Sequence, residues 1–144
     1  MKKVLTAICS ALLIAVFALT MAGCDKSGSI KKAFEKEEYT VTTVNADNST
    51  VQTILKAALT EDQVNKVNEY EIILCVGKGL NAVTGSGVVI KFPSSGELKD
   101  FLTVEDSEGN KNTTAYDKAK DSDSINGNCL YFGFSAGKEI FKNA

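Results

Sequence analysis

The residue types in this chain limit the chemistry that it can perform. Among its 144 residues there is no His and no Arg, while four residues are Cys. Without His, the Ser-His-Asp and Cys-His arrangements and the HExxH zinc helix are excluded. Without Arg, no guanidinium fork can hold a phosphate or a carboxylate at two points. A net charge of −2 argues against a nucleic-acid partner. Because no pair of carboxylates suits acid–base work either, we predict a non-catalytic protein without a cofactor or metal ion.

Two cysteines, Cys75 and Cys129, each lie in a predicted strand. In an exported protein such a pair suggests a disulfide. In the sheet topology that the order of the elements predicts, however, their strands occupy opposite edges of the sheet, about three strand spacings of ~4.8 Å apart. A disulfide needs Cα atoms within about 7 Å of each other. We therefore favour free thiols that pack as small apolar groups, and a disulfide would require a different topology.

Two loops carry weak matches to ligand-binding motifs. Gly77-Lys78-Gly79-Leu80-Asn81-Ala82 fits the loose dinucleotide pattern GxGxxA, but a new strand follows where that motif needs a helix. Residues 121–127 are rich in Asp and Ser, yet three ligand or glycine positions of an EF-hand calcium loop are missing. We interpret the first loop as a hairpin connection and the second as a solvated acidic loop.

The first 24 residues have the pattern of a secretion signal. Met1-Lys2-Lys3 is positively charged, residues 4–21 are uncharged and mostly apolar, and Met21-Ala22-Gly23-Cys24 ends the stretch. In these residues the segment resembles the signal peptides of bacterial lipoproteins. Their lipobox is an aliphatic residue, two small residues and a Cys.

The resemblance implies cleavage and attachment to the membrane. Residues 1–23 would be the signal peptide, with Ala22 and Gly23 before the cut. Cys24 would carry diacylglycerol and further acyl chains such as palmitate, which hold a protein stably on the extracytoplasmic face of the cell membrane. Residues 24–29, which include Ser-Gly-Ser, then predict a short flexible tether. The alternative is an uncleaved transmembrane helix, because residues 4–24 carry no charge.

Residues 30–144 have the periodicity of one α+β domain. Helical spacing of Ile30, Ala33 and Phe34 predicts a short amphipathic helix. Apolar or β-branched runs predict four strands, at 39–44, 71–76, 87–92 and 129–134. Capping patterns predict helices that begin near Ser49, Thr60 and Ser94, and a last short helix is expected at 138–142.

The order of these elements predicts a ferredoxin-like fold. A helix precedes a β-α-β-β-α-β series, and a second helix follows it. Two split βαβ units in this order are typical of a ferredoxin-like sandwich. Residues 103–128 are poor in apolar side chains, so we expect a long mobile loop there with one helical turn near Tyr116.

One face of the predicted sheet is the candidate interaction site. Alternation along the strands places Leu130, Phe132 and Phe134 on one face, which we interpret as core. The opposite face carries Ile73, Cys75, Val89 and Tyr131. This face needs a cover, which either the helix at 30–34 or a partner protein can supply. We treat it as the candidate interaction face.

The sequence thus predicts a membrane-anchored extracytoplasmic lipoprotein of the bacterial cell envelope. Its partners would be membrane lipid, through Cys24, and an envelope protein or peptide bound by the small domain. The alternative is an accessory lipoprotein that captures a solute for a transporter. The length of the domain weighs against that alternative, because two-lobed solute receptors need a longer chain.

Overall fold

A computed structural model describes residues 25–79 and 86–144 of the chain. Within these ranges it is a mixed α+β structure with six α-helices and an antiparallel five-stranded sheet. In chain order the elements are α1 (Ser27–Lys36), β1 (Thr40–Val44), α2 (Ser49–Lys56), α3 (Glu61–Lys66) with a 3-10 turn (Val67–Glu69), β2 (Glu71–Val76), β3 (Gly87–Lys91), α4 (Ser95–Leu102), β4 (Val104–Glu105), β5 (Lys111–Asn112), α5 (Thr114–Asp121), β6 (Ile125–Asn126), β7 (Cys129–Gly133) and α6 (Ser135–Lys142).

The main sheet has the strand order β1-β2-β3-β7-β6, and every neighbouring pair is antiparallel. We name its two ends proximal and distal. The proximal end is formed by Val44, Ile72, Lys91 and Cys129, and the distal end by Thr40, Val76, Gly87 and Gly133. Strands β4 and β5 form a separate two-stranded hairpin.

This strand order corrects the predicted ferredoxin-like topology, in which β2 and β7 would lie at opposite edges. Within the described residues, β1 is an edge strand that pairs with β2 alone. The hydrophobic pattern explains the difference. Strand β2 is apolar on both faces from Ile72 to Cys75, as a central strand must be, whereas three of the five residues of β1 are Thr. A central position for β1 would bury those hydroxyls.

Helices cover both faces of the sheet, which makes three layers. On one face, Val51 and Leu55 of α2 and Leu98 of α4 pack on Ile72 and Ile90. On the other face, α1 and α6 cover the sheet with a second cluster of buried side chains, namely Ile30, Phe34, Tyr39, Ile73, Cys75, Val89, Cys129, Tyr131 and Phe141. Both sets are almost fully buried, so side chains that alternate along the strands belong to two separate cores. The first core lies under α2 and α4, and the second core lies under α1 and α6.

Side-chain caps fix the starts of three helices. Thr60 and Gln63 form the predicted capping box at α3. Ser94 accepts a hydrogen bond from the amide of Glu97 at α4, also as predicted. At α2 the prediction is wrong by one residue, because Asn48 and not Ser49 caps the helix, accepting from the amides of Thr50 and Val51.

Residues 103–128 are not the long loop that was predicted. They contain the β4–β5 hairpin, the two-turn helix α5 and strand β6. In the hairpin, Asp106 accepts hydrogen bonds from the amides of Glu108 and Asn110. Tyr116 and Ala119 of helix α5 are partly buried and pack against the core on the α2 and α4 side of the sheet. The segment is ordered mainly by hydrogen bonds of polar side chains in its turns, and these cannot be predicted from its low apolar content.

Candidate interaction surfaces

The predicted interaction face is covered by the chain itself. Ile73, Cys75 and Val89 have no exposed surface, and Tyr131 is 1 % exposed. Helices α1 and α6 lie over them. The structure therefore corrects the prediction that this face is open to a partner. The predicted amphipathic helix, α1, covers the face, and helix α6 covers it as well.

Tyr131 has a structural place in this second core. Its ring lies 6.4 Å from the ring of Phe34 and 5.4 Å from that of Phe141, measured between centroids. Its hydroxyl donates a 2.7 Å hydrogen bond to the carbonyl oxygen of Phe134. Burial raises the pKa of this phenol. A neutral, hydrogen-bonded and enclosed Tyr side chain stabilises the fold.

Cys75 and Cys129 are free and buried, which confirms the prediction of unpaired thiols. The physical reason differs from the predicted one, because β3 lies between their strands and keeps them two strand spacings apart. Burial raises the pKa of each thiol to about 12. Since the thiolate is the reactive form, both side chains behave as small apolar groups and not as nucleophiles.

The two loop motifs give no ligand site in the described residues. Gly79 takes a left-handed conformation at φ +61°, as a turn requires, and residues 80–82 of the GxGxxA match lie outside the described part. In the acidic segment, Asp123 lies 3.7 Å from the ammonium of Lys142 and the hydroxyl of Ser124 bonds to Ser122. Across residues 25–79 and 86–144, no three His, Cys, Asp or Glu side chains gather as a metal site.

A network of ion pairs joins the start of the described chain to the proximal end of the sheet. The Lys91 ammonium lies 2.9 Å from a carboxylate oxygen of Asp25 and 3.6 Å from one of Glu71, and Glu71 also lies 2.9 Å from Lys31. Partial burial acts to raise the pKa of Asp25, but hydrogen bonds from Lys91 and Ser27 and the charge of Lys91 hold that pKa at about 2. The hydrogen bond with Asp25 likewise raises the pKa of Lys91.

The free edge of β1 is the first surface open to a partner. Its residues pair with β2 in unbroken register from Thr40 opposite Val76 to Val44 opposite Ile72. Among the described residues, the backbone of Thr40–Val44 makes no hydrogen bond outside that ladder. Thr40, Thr42 and Thr43 are exposed. The predicted topology makes β1 a central strand and misses this edge, although its three Thr residues are a usable signal.

A mainly apolar groove of about 450 Å³ is the second open surface. It lies at the distal end, between the last turn of α2 and the start of α6. Residues that line it include Ile54, Ala57, Ala58, Phe132, Phe134 and Lys138. Phe134, predicted as core, is 49 % exposed here, because β7 ends at Gly133 and the chain turns away into α6.

The predicted lipidation and cleavage residues, Cys24, Ala22 and Gly23, lie outside the described residues. Within the described ranges, none of the helices has the length and apolar character needed to cross a membrane. In comparisons with protein-family models, curated proteins and solved structures, nothing matches this chain.

Proposed function

We propose that this chain is a lipid-anchored, non-catalytic extracytoplasmic protein whose α+β domain binds an extended segment of an envelope protein or a peptide along the free edge of β1. The anchor rests on the lipobox-like residues that end in Cys24. The binding role rests on a single structural observation, which is the regular, uncharged and exposed edge of the main sheet.

The edge of β1 has the properties of a strand acceptor. An edge strand presents a row of backbone N–H and C=O groups that another strand can pair with, and many peptide-binding domains work by adding such a strand. Natural edges that must stay unpaired usually carry Lys, Pro or a bulge. Strand β1 has none of these in Thr40–Val44.

The charges around β1 indicate what kind of strand it accepts. Glu37 and Glu38 precede the strand and Asp47 follows it, all three exposed and without an ion pair among the described residues. A complementary partner has an uncharged, β-branched centre and basic residues at its ends. A second copy fits less well, because antiparallel pairing centred on Thr42 sets Glu37 opposite Asp47, and like charges across a strand pair destabilise it.

The binding role can be tested with a short peptide of alternating Val and Thr that carries Lys at both ends. We expect it to bind the detergent-solubilised protein and to shift the backbone amide NMR signals of β1. The double variant Thr42→Lys/Thr43→Lys should weaken binding at least about ten-fold, or about 1.4 kcal/mol, because edge lysines oppose strand addition. The variant Thr50→Lys/Ser107→Lys adds the same charge at exposed positions elsewhere and should bind normally. Equal binding by both variants contradicts the proposal.

The anchor is tested separately by mass spectrometry of the membrane-extracted protein. A chain that begins at an acylated Cys24 supports it. A chain that retains Met1 contradicts it. The two parts of the proposal can therefore fail independently.

The distal groove favours a second function, the capture of a small solute for a transporter. Its apolar lining and the Lys138 ammonium suit an apolar molecule with an anionic group. Medium-chain carboxylates at a concentration of about 100 Kd would then raise the free energy of unfolding by about 2.7 kcal/mol, and Phe134→Ala should reduce that gain. The absence of any thermal shift across such carboxylates contradicts this second function.

A further inference from the structure

We infer that no flexible spacer separates the lipid anchor from the domain, so that the proximal end of the sheet rests against the lipid headgroups and the distal end points away from the membrane. This inference rests on the proposed lipidation of Cys24. In place of the flexible tether predicted at residues 24–29, the described residues 25–27 form a fixed junction.

Residues 25–27 are held by specific contacts. Asp25 forms the 2.9 Å ion pair with Lys91. The backbone amide of Lys26 donates to the side-chain oxygen of Asn128 at 3.1 Å. Ser27 is only 5 % exposed, already belongs to α1, and donates its amide to the Asp25 carboxylate at 2.9 Å. A loose spacer would make none of these contacts.

The partners of this junction are themselves fixed in the sheet. Asn128 is 4 % exposed, and its side-chain amide donates to the carbonyl of Phe92 at 2.7 Å. The amide of Phe92 in turn donates to the carbonyl of Asn128 at 2.9 Å. The side chain of Lys26 lies over Gly127, where an added Cβ would come within 2.5 Å of the Lys26 Cγ. Residues 25–27 are thus tied to the ends of β3 and β7.

Chain connectivity then sets where the anchor attaches. Consecutive Cα atoms lie about 3.8 Å apart, so an acyl group on the residue before Asp25 starts at the proximal end. A free five-residue tether would instead span about 12 Å and allow every orientation. The ion pairs of Asp25, Lys31, Glu71 and Lys91 balance one another there. Such an end suits contact with headgroups rather than insertion among acyl chains.

The orientation also separates the functional surfaces from the membrane. The groove beside Phe134 lies at the distal end, about four residues or ~13 Å farther along the strands than the junction. The strand β1 runs between the two ends, so its free edge stands out from the bilayer. A partner strand from the envelope can reach it without displacing lipid.

Energy transfer to the bilayer tests this orientation. A donor dye is placed at Ser95→Cys near the proximal end or at Ala136→Cys near the distal end, both exposed positions. The buried Cys75 and Cys129 do not compete for the label. The lipidated full-length protein is reconstituted into phosphatidylcholine vesicles whose headgroups carry an acceptor dye. We expect energy transfer from position 95 to be at least about two-fold stronger than from position 136, given the ~13 Å difference in height.

Insertion of a Gly-Ser linker between Cys24 and Asp25 is the matched control, and it should equalise transfer from the two positions. Equal transfer in the protein without the linker overturns the inference, as does stronger transfer from position 136. Mass spectrometry on the same samples shows whether the lipid anchor or only the fixed junction is refuted. An acylated Cys24 with equal transfer refutes the fixed junction alone, whereas a chain that retains Met1 refutes the anchor and the junction together.

Discussion

At the scale of single residues, burial decides which side chains are available for chemistry. The Tyr131 ring occupies space that exists because two neighbours are glycines. A Cβ on Gly87 would overlap that ring. A Cβ on Gly133, where φ is +145°, would lie 2.6 Å from the Cα of Gly87 and 2.9 Å from the Tyr131 hydroxyl. Two glycines and one Tyr therefore act together to close the second core.

We expect Gly133→Ala to lower the free energy of unfolding by about 2 kcal/mol, because it adds both backbone strain and a backbone clash. Gly96→Ala is the matched control, since its Cβ would meet only the Ser94 hydroxyl oxygen at 3.7 Å. In helix α4 that change should be neutral or stabilise by up to about 1 kcal/mol. Urea unfolding of the two variants and the parent protein measures this. A Gly133→Ala midpoint equal to that of the parent refutes the proposed packing.

At the scale of elements, polar side chains that cap the helices determine at which residue each helix begins. Both Asn48 and Ser49 can cap a helix, and the Ser49–Gln52 spacing favours Ser49 by the capping-box rule. The structure uses Asn48, whose side-chain oxygen reaches two backbone amides at 3.0 and 3.2 Å. The shift by one residue leaves Ser49 as the first residue of α2.

Asn48→Ala should therefore destabilise the protein by about 1 kcal/mol, whereas Ser49→Ala should change its stability by less than about 0.5 kcal/mol. The reason is that, of these two side chains, Asn48 is the one that accepts hydrogen bonds from amides in the first turn. Chemical denaturation of both variants under one set of conditions gives the comparison. A larger loss for Ser49→Ala than for Asn48→Ala would contradict the observed cap.

At the scale of the whole molecule, groups that titrate above and below neutral pH set the pH range in which the protein is most stable. Burial raises the pKa of Cys75 and Cys129 to about 12, while an unfolded Cys titrates near about 8.5. Above the unfolded value the unfolded state loses its proton first, so stability falls as pH rises. Asp25 acts in the opposite direction, because its pKa of about 2 means that its contribution is lost as pH falls from about 4 toward 2.

We expect the urea midpoint of the detergent-solubilised protein to be highest between about pH 5 and 8. At pH 10 each thiol should cost about 2 kcal/mol relative to neutral pH. In acid, protonation of Asp25 should lower the free energy of unfolding by only about 1 kcal/mol, because that side chain is 40 % exposed and solvent screens its ion pair. Cys75→Ala/Cys129→Ala should flatten the alkaline slope, and Asp25→Asn the acid slope. A midpoint that does not change between pH 7 and 10 contradicts the buried neutral thiols.

Local signals in the sequence determined most of the elements. The apolar run 71–76 becomes β2 with the predicted bounds, and the helical spacing of Ile30 and Phe34 marks the buried side of α1. The capping box at Thr60 forms as predicted. The two unpaired thiols were also predicted, but through an incorrect topology. These features depend on neighbours within about one helical turn or one strand, which a single stretch of sequence contains.

The tertiary structure alone decided the strand order, the cover of the sheet and the junction at Asp25. The same series of strands and helices can be assembled in several orders, and the choice depends on which strands can be buried on both faces. The face of Ile73 and Val89 is closed by helices from the two ends of the described chain. Asp25 meets Lys91, and Lys26 meets Asn128, across more than sixty residues of sequence. Contacts at such separation leave no periodic pattern, so only the folded chain reveals them.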